Sequence, residues 1–371
     1  MVDLNGQYRK IKVEVDAAIQ NVIDSTAFIN GPQVREFESD LEAYLNVQEV
    51  ITCANGTDAL QIALMALGLE PGDEVIVPCF TYVATAEVIA LLRLKPVMVD
   101  VDPETFNITA DIIERAVTSK TKAVVPVHLF GQCADMESIM KVAKKHNLFV
   151  IEDAAQALGA EYIYSDGTRK KAGTIGDIGC TSFFPSKNLG CYGDGGAIMT
   201  QNTELAKNIR KIANHGQAKK YYHDVVGVNS RLDTLQASIL KVKLGQLDKY
   251  AEARNSAATF YDQSFADLKW LQIPKRSEKS SHVYNQYTLK IKDSSERESF
   301  RKHLAGKGVP TMVYYPVPLN KQEAFRIEGQ AELSFPVSES LCEHVISLPI
   351  HTEMTTEHLE FIAEALRSFK S

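Results

Sequence analysis

Strand-like and helix-like segments alternate through most of the first 200 residues, and this alternation limits the possible folds more than any other feature. Short runs rich in valine and isoleucine predict strands, and segments with apolar residues at helical spacing follow several of them. The predicted strands are 74–78, 96–101, 123–129, 148–152, 178–184 and 197–200, with helices at 82–92, 110–117 and 136–145. This order is typical of an α/β fold with a mostly parallel sheet covered on both faces.

A different arrangement is predicted for the C-terminal part. A long helix is expected from about 234 to 258, and we place a domain boundary within this helical region. Beyond it, the pattern predicts strands at 283–291 and 310–315 and helices at 300–307 and 357–369. The sequence therefore predicts a large domain, 1–250, and a smaller α+β domain, 251–371.

Composition excludes several classes of protein. The net charge of −7 disfavours nucleic acid as a partner, and no run of about 18 apolar residues could span a bilayer. The N-terminus lacks the pattern of a signal peptide, so we predict a cytoplasmic location. The six cysteines and nine histidines show no metal-ligand spacing, and no metal is expected. No G-x-G-x-x-G follows the first strand, which disfavours a Rossmann oxidoreductase or epimerase.

Lys187 lies on a glycine-rich loop between two predicted buried strands. Burial lowers the pKa of a lysine toward that of a nucleophilic amine, and a Schiff-base lysine needs this chemistry. A solvated loop lysine is the competing interpretation, and the local sequence does not decide between them. The nearby Pro185 and four glycines favour a rigid turn, and rigid loops often have functional residues.

Three other predicted strand ends are followed by polar or aromatic side chains. Each has an ordinary structural explanation: helix capping for Asn55-Gly56-Thr57 and for Asp153, and plain packing for Tyr82. Together with Gln156, Ser182 and Lys187, however, these positions match the requirements of pyridoxal 5′-phosphate (PLP). A carboxylate keeps the pyridine nitrogen protonated, an aromatic ring stacks on the cofactor, and a helix N-terminus binds its phosphate.

The chain resembles the DegT/DnrJ/StrS nucleotide-sugar aminotransferases, which have the type I PLP-dependent aminotransferase fold. The motifs that resemble this family extend along nearly the whole chain. They are Asn55-Gly-Thr-Asp-Ala-Leu60, Phe80-Thr-Tyr-Val-Ala-Thr85, Glu152-Asp-Ala-Ala-Gln156, Ser182-Phe-Phe-Pro-Ser-Lys187 and Gly227-Val-Asn-Ser-Arg-Leu-Asp233.

The resemblance implies a role for each of these motifs. Lys187 is implied as the Schiff-base lysine, Asp153 as the partner of the pyridine nitrogen, and Gln156 as a contact of the ring 3-oxygen. Tyr82 is expected to stack on the ring. The implied phosphate contacts are Gly56, Thr57, Ser182 and, from the neighbouring subunit, Asn229. A homodimer with shared active sites follows, with L-glutamate as the amino donor.

Within the family, the chain is most similar to aminotransferases that act at C3 of UDP-2-acetamido-2-deoxy-3-oxo-glucuronate, in the synthesis of surface polysaccharide or lipopolysaccharide. In that subgroup an arginine that matches Arg231 approaches the sugar, as does a His-Tyr pair that matches Tyr314-Tyr315. The loss of the histidine removes a possible cation near the sugar carboxylate, whereas Arg231 could bind that carboxylate bidentately. The alternative for Arg231 is a structural ion pair with Asp233 or another acid.

Two alternatives to this function remain. One is the same reaction on a dTDP-3-keto-6-deoxyhexose, and the other is a catalytically silent PLP-fold protein that binds a partner or ligand. Related sugar 3-dehydratases have histidine in place of the lysine, so Lys187 favours amino transfer.

Overall fold

A seven-stranded sheet forms the centre of the computed structural model, which describes residues 1–326 and 333–369. The first nine strands of the chain are β1 Glu49–Cys53, β2 Glu74–Pro78, β3 Lys95–Val99, β4 Thr121–Val124, β5 Phe149–Asp153, β6 Glu161–Ile163, β7 Arg169–Lys171, β8 Ile178–Ser182 and β9 Gly196–Thr200. The remaining five are β10 Gln217–Lys219, β11 Tyr222–His223, β12 Leu271–Gln272, β13 Tyr287–Ile291 and β14 Val345–Leu348.

The order of the central sheet is β1-β9-β8-β5-β4-β2-β3. Strand β9 is antiparallel to both of its neighbours, and all the other pairs are parallel. Every residue of β2 and of β9 is buried, because helices and loops cover both faces of the sheet. The predicted mostly parallel, mixed sheet is therefore confirmed.

Helices pack against this central sheet and against a smaller sheet in the C-terminal part. They are α1 Leu4–Lys10, α2 Lys12–Ser25, α3 Pro32–Leu45, α4 Gly56–Ala66, α5 Ala84–Leu91, α6 Ala110–Ala116, α7 Met136–His146, α8 Thr203–Ala213, α9 Thr234–Leu244, α10 Leu247–Phe265, α11 Arg297–Gly306, α12 Pro336–His344 and α13 Thr356–Arg367. Helices α4, α5 and α8 share one apolar core, whereas α6 and α7 belong to a second. In a third core, α3 and α9 pack against buried residues of β9.

The C-terminal part has a small antiparallel sheet of order β12-β13-β14. Helices α10, α11 and α13 share an apolar core with this sheet. An α+β C-terminal part is thus confirmed, whereas the boundary after residue 250 stays a prediction and falls inside α10. No helix within the described ranges has both the length and the hydropathy needed to cross a membrane.

Two predicted elements are wrong. The expected helix from 234 to 258 is divided into α9 and α10, since Gly245 and Gln246 end one helix before the next begins. The expected strand at 310–315 is an irregular segment in which Met312 alone bridges to Ser347. Pro310 and the following Pro316 have no N–H group for a sheet ladder, which limits pairing here.

Short elements were not predicted at all. The two hairpins, β6-β7 and β10-β11, have strands of only two or three residues, too short for a clear alternating pattern. Helix α12 and strand β14 were also missed. The six cysteines are free and buried.

A close approach between two glycines shapes the loop that precedes β8. A β carbon at Gly179 would lie 1.9 Å from the carbonyl oxygen of Gly173. Gly173 itself has a φ of 83°, in the left-handed region that favours glycine. The loop can therefore lie directly on the strand only because both positions are glycine.

We predict that Gly179→Ala lowers the free energy of unfolding by about 3 kcal/mol or more, because a rigid backbone atom blocks the added methyl group. Gly306→Ala is the matched control, since Gly306 ends α11 with open space around it. This control should be neutral or should stabilise the protein by up to about 1 kcal/mol. Urea unfolding measures both, and similar small effects would contradict the prediction.

Candidate active site

The predicted site residues lie around the carboxyl ends of the parallel strands. Asp153 ends β5 and Ser182 ends β8, while Tyr82 follows β2 after a short loop. The turn with Lys187 follows β8, and α4 begins at Gly56 just after β1. Parallel strands end at a common edge, so one topology brings these separate motifs to one region.

Asp153 is a buried carboxylate with both oxygens hydrogen-bonded. The Thr85 hydroxyl donates to Oδ2 over 2.9 Å, and the Ala155 N–H donates to Oδ1 over 3.1 Å. No helix begins at this point, so the carboxylate is not a helix cap. It stays available to a positively charged or protonated group in the site.

Lys187 is held in a tight turn beside Asp153. Its N–H donates to the carbonyl of Phe184 over 2.8 Å, and the side chain of the next residue, Asn188, donates to the carbonyl of Val283 over 3.0 Å. Burial lowers the pKa of the Lys187 amine, and the negative charge of Asp153 opposes this shift. The half-buried side chain is therefore not an ordinary solvated loop lysine.

The start of α4 approaches the end of β8 closely. A β carbon on Gly56 would lie 2.7 Å from the β carbon of Ser182, so only glycine fits. Asn55 caps the helix by accepting from the Asp58 N–H over 2.8 Å. Capping and anion binding are compatible here, because the first N–H groups of the helix, at Gly56 and Thr57, still point out of its end.

Gln156 joins the main part of the site to the segment before α12. Its Nε2 donates to the Tyr315 hydroxyl over 3.2 Å, and its Oε1 accepts from the Phe130 N–H over 2.7 Å. The ring centroids of Tyr315 and Tyr82 are 6.3 Å apart. Tyr82 is 58% exposed, so plain packing does not account for it. Tyr314 adjoins Tyr315 through a cis peptide bond, with the two rings 6.1 Å apart.

Asn229 and Arg231 flank Ser230 on the segment before α9. Asn229 is exposed, and Arg231 lines a groove of about 830 Å³ with Arg35 and Lys211. Among the described residues, neither side chain makes a hydrogen bond or ion pair with Lys187, Asp153 or Tyr315, and Arg231 makes no ion pair with Asp233. One link exists, because Ser230 accepts from the Ala54 N–H and donates to Asp58 at the start of α4.

Sequence reasoning missed two groups that the structure brings to the site. Thr85 was quoted within a motif but was given no role, although it donates to Asp153. The N–H of Phe130 was not considered, because a backbone donor leaves no signal in a single sequence. The groups that were named fit PLP: a carboxylate beside an amine of lowered pKa, an open aromatic face, and a helix N-terminus that only glycine can form. No cluster of three or more possible metal ligands occurs in the part of the chain that the structure describes.

This fold and this set of groups define a PLP-dependent enzyme of the type I fold. The sequence profile of the DegT/DnrJ/EryC1/StrS aminotransferase family matches residues 9–367, and the chain belongs to that family. The predicted family, enzyme class, fold and cofactor are thereby confirmed.

Three curated relatives are similar over nearly their whole length. The UDP-2-acetamido-2-deoxy-3-oxo-D-glucuronate aminotransferase of Pseudomonas aeruginosa is 48% identical, over 98% of each chain. The UDP-N-acetyl-3-dehydro-alpha-D-glucosamine 3-aminotransferase of Acidithiobacillus ferrooxidans is 43% identical, over 99% of this chain and 96% of that one. The dTDP-3-amino-3,4,6-trideoxy-alpha-D-glucose transaminase of Streptomyces venezuelae is 37% identical, over 99% and 95%.

A solved structure shows the same architecture with the cofactor in place. NtdA from Bacillus subtilis, with bound cofactor PMP, has a TM-score of 0.89 at 33% identity, covering 97% of this chain and 82% of that one.

Proposed function

We propose that this aminotransferase moves an amino group from L-glutamate to C3 of UDP-2-acetamido-2-deoxy-3-oxo-glucuronate, for the synthesis of a surface polysaccharide. The observation that most supports this substrate is the 48% identity, over 98% of each chain, to the Pseudomonas enzyme named for it. The intact pair of Lys187 and Asp153 supports amino transfer and counts against a silent binding protein.

Each site residue has a proposed task. Bound PLP supplies an electron sink for the carbon that loses a proton. The Lys187 amine accepts and returns that proton, since its lowered pKa increases the neutral fraction. Asp153 holds a proton at the pyridine nitrogen, and Gln156 donates a hydrogen bond to the ring 3-oxygen. Tyr82 covers one ring face.

The phosphate contacts are proposed to come from two subunits. Gly56, Thr57 and Ser182 would hold the phosphate within one chain, where their close packing supports the assignment. Asn229 is exposed and makes no bond to these groups within its own chain, so we assign it to the cofactor phosphate of a second copy. Arg231, two residues further on, would reach the substrate in the same neighbouring site. We also retain the division into domains 1–250 and 251–371 as a proposal.

A dTDP-3-keto-6-deoxyhexose is the second candidate substrate, and Tyr314 is the observation that favours it. A phenol has no cationic form, so Tyr314 offers no positive charge to a sugar carboxylate, and burial raises its pKa and keeps it neutral. Arg231 is then the group on which the uronate assignment depends. Its guanidinium lines the groove without an ion-pair partner among the described residues.

The two half-reactions test the function directly. We predict that L-glutamate removes the visible absorbance of the PLP-loaded enzyme and that the UDP-3-keto-uronate restores it. Lys187→Ala should bind PLP but show no change with glutamate. Lys241 is a partly exposed lysine paired with Glu36, and Lys241→Ala should behave as wild type. No response of the wild-type enzyme to glutamate would contradict the proposed donor. Recovery with a dTDP-keto-deoxysugar alone would establish the second candidate.

Substrate selectivity tests Arg231. We predict that Arg231→Ala lowers kcat/KM about 100-fold for the UDP-3-keto-uronate, because a charge-assisted bidentate contact is lost. The loss should be less than about threefold for UDP-N-acetyl-3-dehydro-glucosamine, which has no carboxylate at C6. Arg35→Ala, in the same groove, is the control. Equal losses on both sugars would exclude a role for Arg231 in carboxylate binding.

Mixed dimers test the shared site. Lys187→Ala should be inactive toward the uronate and Arg231→Ala about 100-fold less active, yet together they should recover about a quarter of wild-type activity after mixing and subunit exchange. Half of the dimers would then be mixed, and each would have one site with both residues intact. If both residues serve the same chain's site, mixing restores nothing.

A further inference from the structure

A buried pair of a carboxylate and an imidazole lies directly behind the site. Glu152 precedes Asp153 on β5, so its side chain points to the opposite face of the strand. Its Oε2 contacts the Nε2 of His128 over 2.8 Å and accepts from the Gly173 N–H over 2.9 Å. Its Oε1 accepts from the N–H groups of Ile175 and Gly176. Both side chains of the pair are fully buried.

The hydrogen bonds fix the tautomer of His128. The Ala134 N–H donates to Nδ1 over 3.2 Å, so Nδ1 has no hydrogen and the Nε2–H donates to Glu152. Burial opposes the ionised form of Glu152, but its donors, above all His128, prevail and lower its pKa. The ring therefore ties the turn at 128–134 to strand β5 through an ionised carboxylate.

The turn held by His128 is strained at Phe130. This residue has a φ of 59°, in the left-handed region that few residues other than glycine adopt. Its carbonyl accepts from the Asn285 N–H over 2.9 Å, and its ring packs against Phe80 and Phe106. Strain of this kind persists where surrounding contacts enforce it, and it is often found at functional sites.

The strained turn determines which way the amide of Gln156 faces. The Phe130 N–H can only donate, so Gln156 must direct Oε1 toward it. A flipped amide would set two N–H groups against each other at 2.7 Å. Gln156 therefore directs its NH₂ group toward Tyr315, with a second hydrogen left for the cofactor.

We propose that His128 and Glu152 are positioning residues of this site: they hold the Phe130 turn, whose N–H orients Gln156 so that it donates to the cofactor ring oxygen. This inference rests on the proposed role of Gln156, but it does not depend on which sugar is the substrate. The chain of contacts runs from the Glu152 carboxylate through His128 to the turn, and from the turn to Gln156. Neither His128 nor Glu152 needs to touch the cofactor.

The pH dependence of the visible absorbance of bound PLP tests the proposal without glutamate or a keto sugar. A hydrogen-bond donor to the ring 3-oxygen makes that oxygen less basic. The oxygen then binds the proton that it shares with the Lys187 nitrogen less tightly. Loss of the donor should therefore raise the midpoint of the titration. Gln156→Leu sets the reference, with an expected rise of about one pH unit. His128→Leu, which removes both ring hydrogen bonds, should raise the midpoint in the same direction.

Two further variants separate positioning from simple loss of stability. Thr288→Val removes a buried hydroxyl that bonds Ser347 over 2.8 Å in the small sheet, so it should reduce stability without a shift of the midpoint. His128→Asn keeps an acceptor for the Ala134 N–H and is measured in place of His128→Leu if the latter does not fold. A raised midpoint in the folded His128 variant, with none in Thr288→Val, supports the proposal. An unchanged midpoint in that variant, alongside a shift in Gln156→Leu, would overturn it. A titration midpoint of Gln156→Leu equal to that of wild type would also overturn the proposal.

Discussion

The site depends on how the carboxyl end of β5 is held. Beyond β4 the chain stays beside β5, and the Asp153 N–H donates to the carbonyl of Pro126 while the Asp153 carbonyl accepts from the His128 N–H. Backbone pairing thus continues past the last formal residue of β4 and fixes the aspartate at the rim of the sheet. Because the same segment then turns toward Gln156, two parts of the site share one backbone anchor.

Successive residues of one strand serve two different purposes here. The alternation of side chains places Asp153 toward the site and Glu152 into the interior. Burying a carboxylate costs several kcal/mol unless donors replace water, and Glu152 has four of them. Three of these donors come from the loop whose close approach to β8 requires glycine at positions 173 and 179. Those glycines thus contribute indirectly to the support of the site.

The sequence allowed the central architecture and the chemical groups to be predicted, because both depend on strong local patterns. Asp153 and Lys187 lie at or just beyond apolar strands, and parallel topology brings such ends together. The partners of these groups could not be predicted in the same way. The Phe130 N–H belongs to the backbone, and the Glu152–His128 pair joins residues 24 positions apart by a contact that no spacing rule suggests. The helix expected from 234 to 258 was wrong because a single Gly245 was given too little weight.

Among the site residues, the position of Arg231 bears most directly on which keto sugar is the substrate. A uronate carboxylate that leaves water needs a fixed positive charge nearby, since an uncompensated buried charge is costly. Tyr314 cannot provide that charge, because a phenol has no cationic form, and the proposed reaction assigns Lys187 to the proton transfer. Arg231 has the right chemistry, yet within its own chain it lines a groove whose lining does not include Tyr315. Under the proposed sharing of sites, recognition of a uronate would need Arg231 from a second copy of the chain. Substrate choice and the dimeric state are, for this reason, parts of the same structural question.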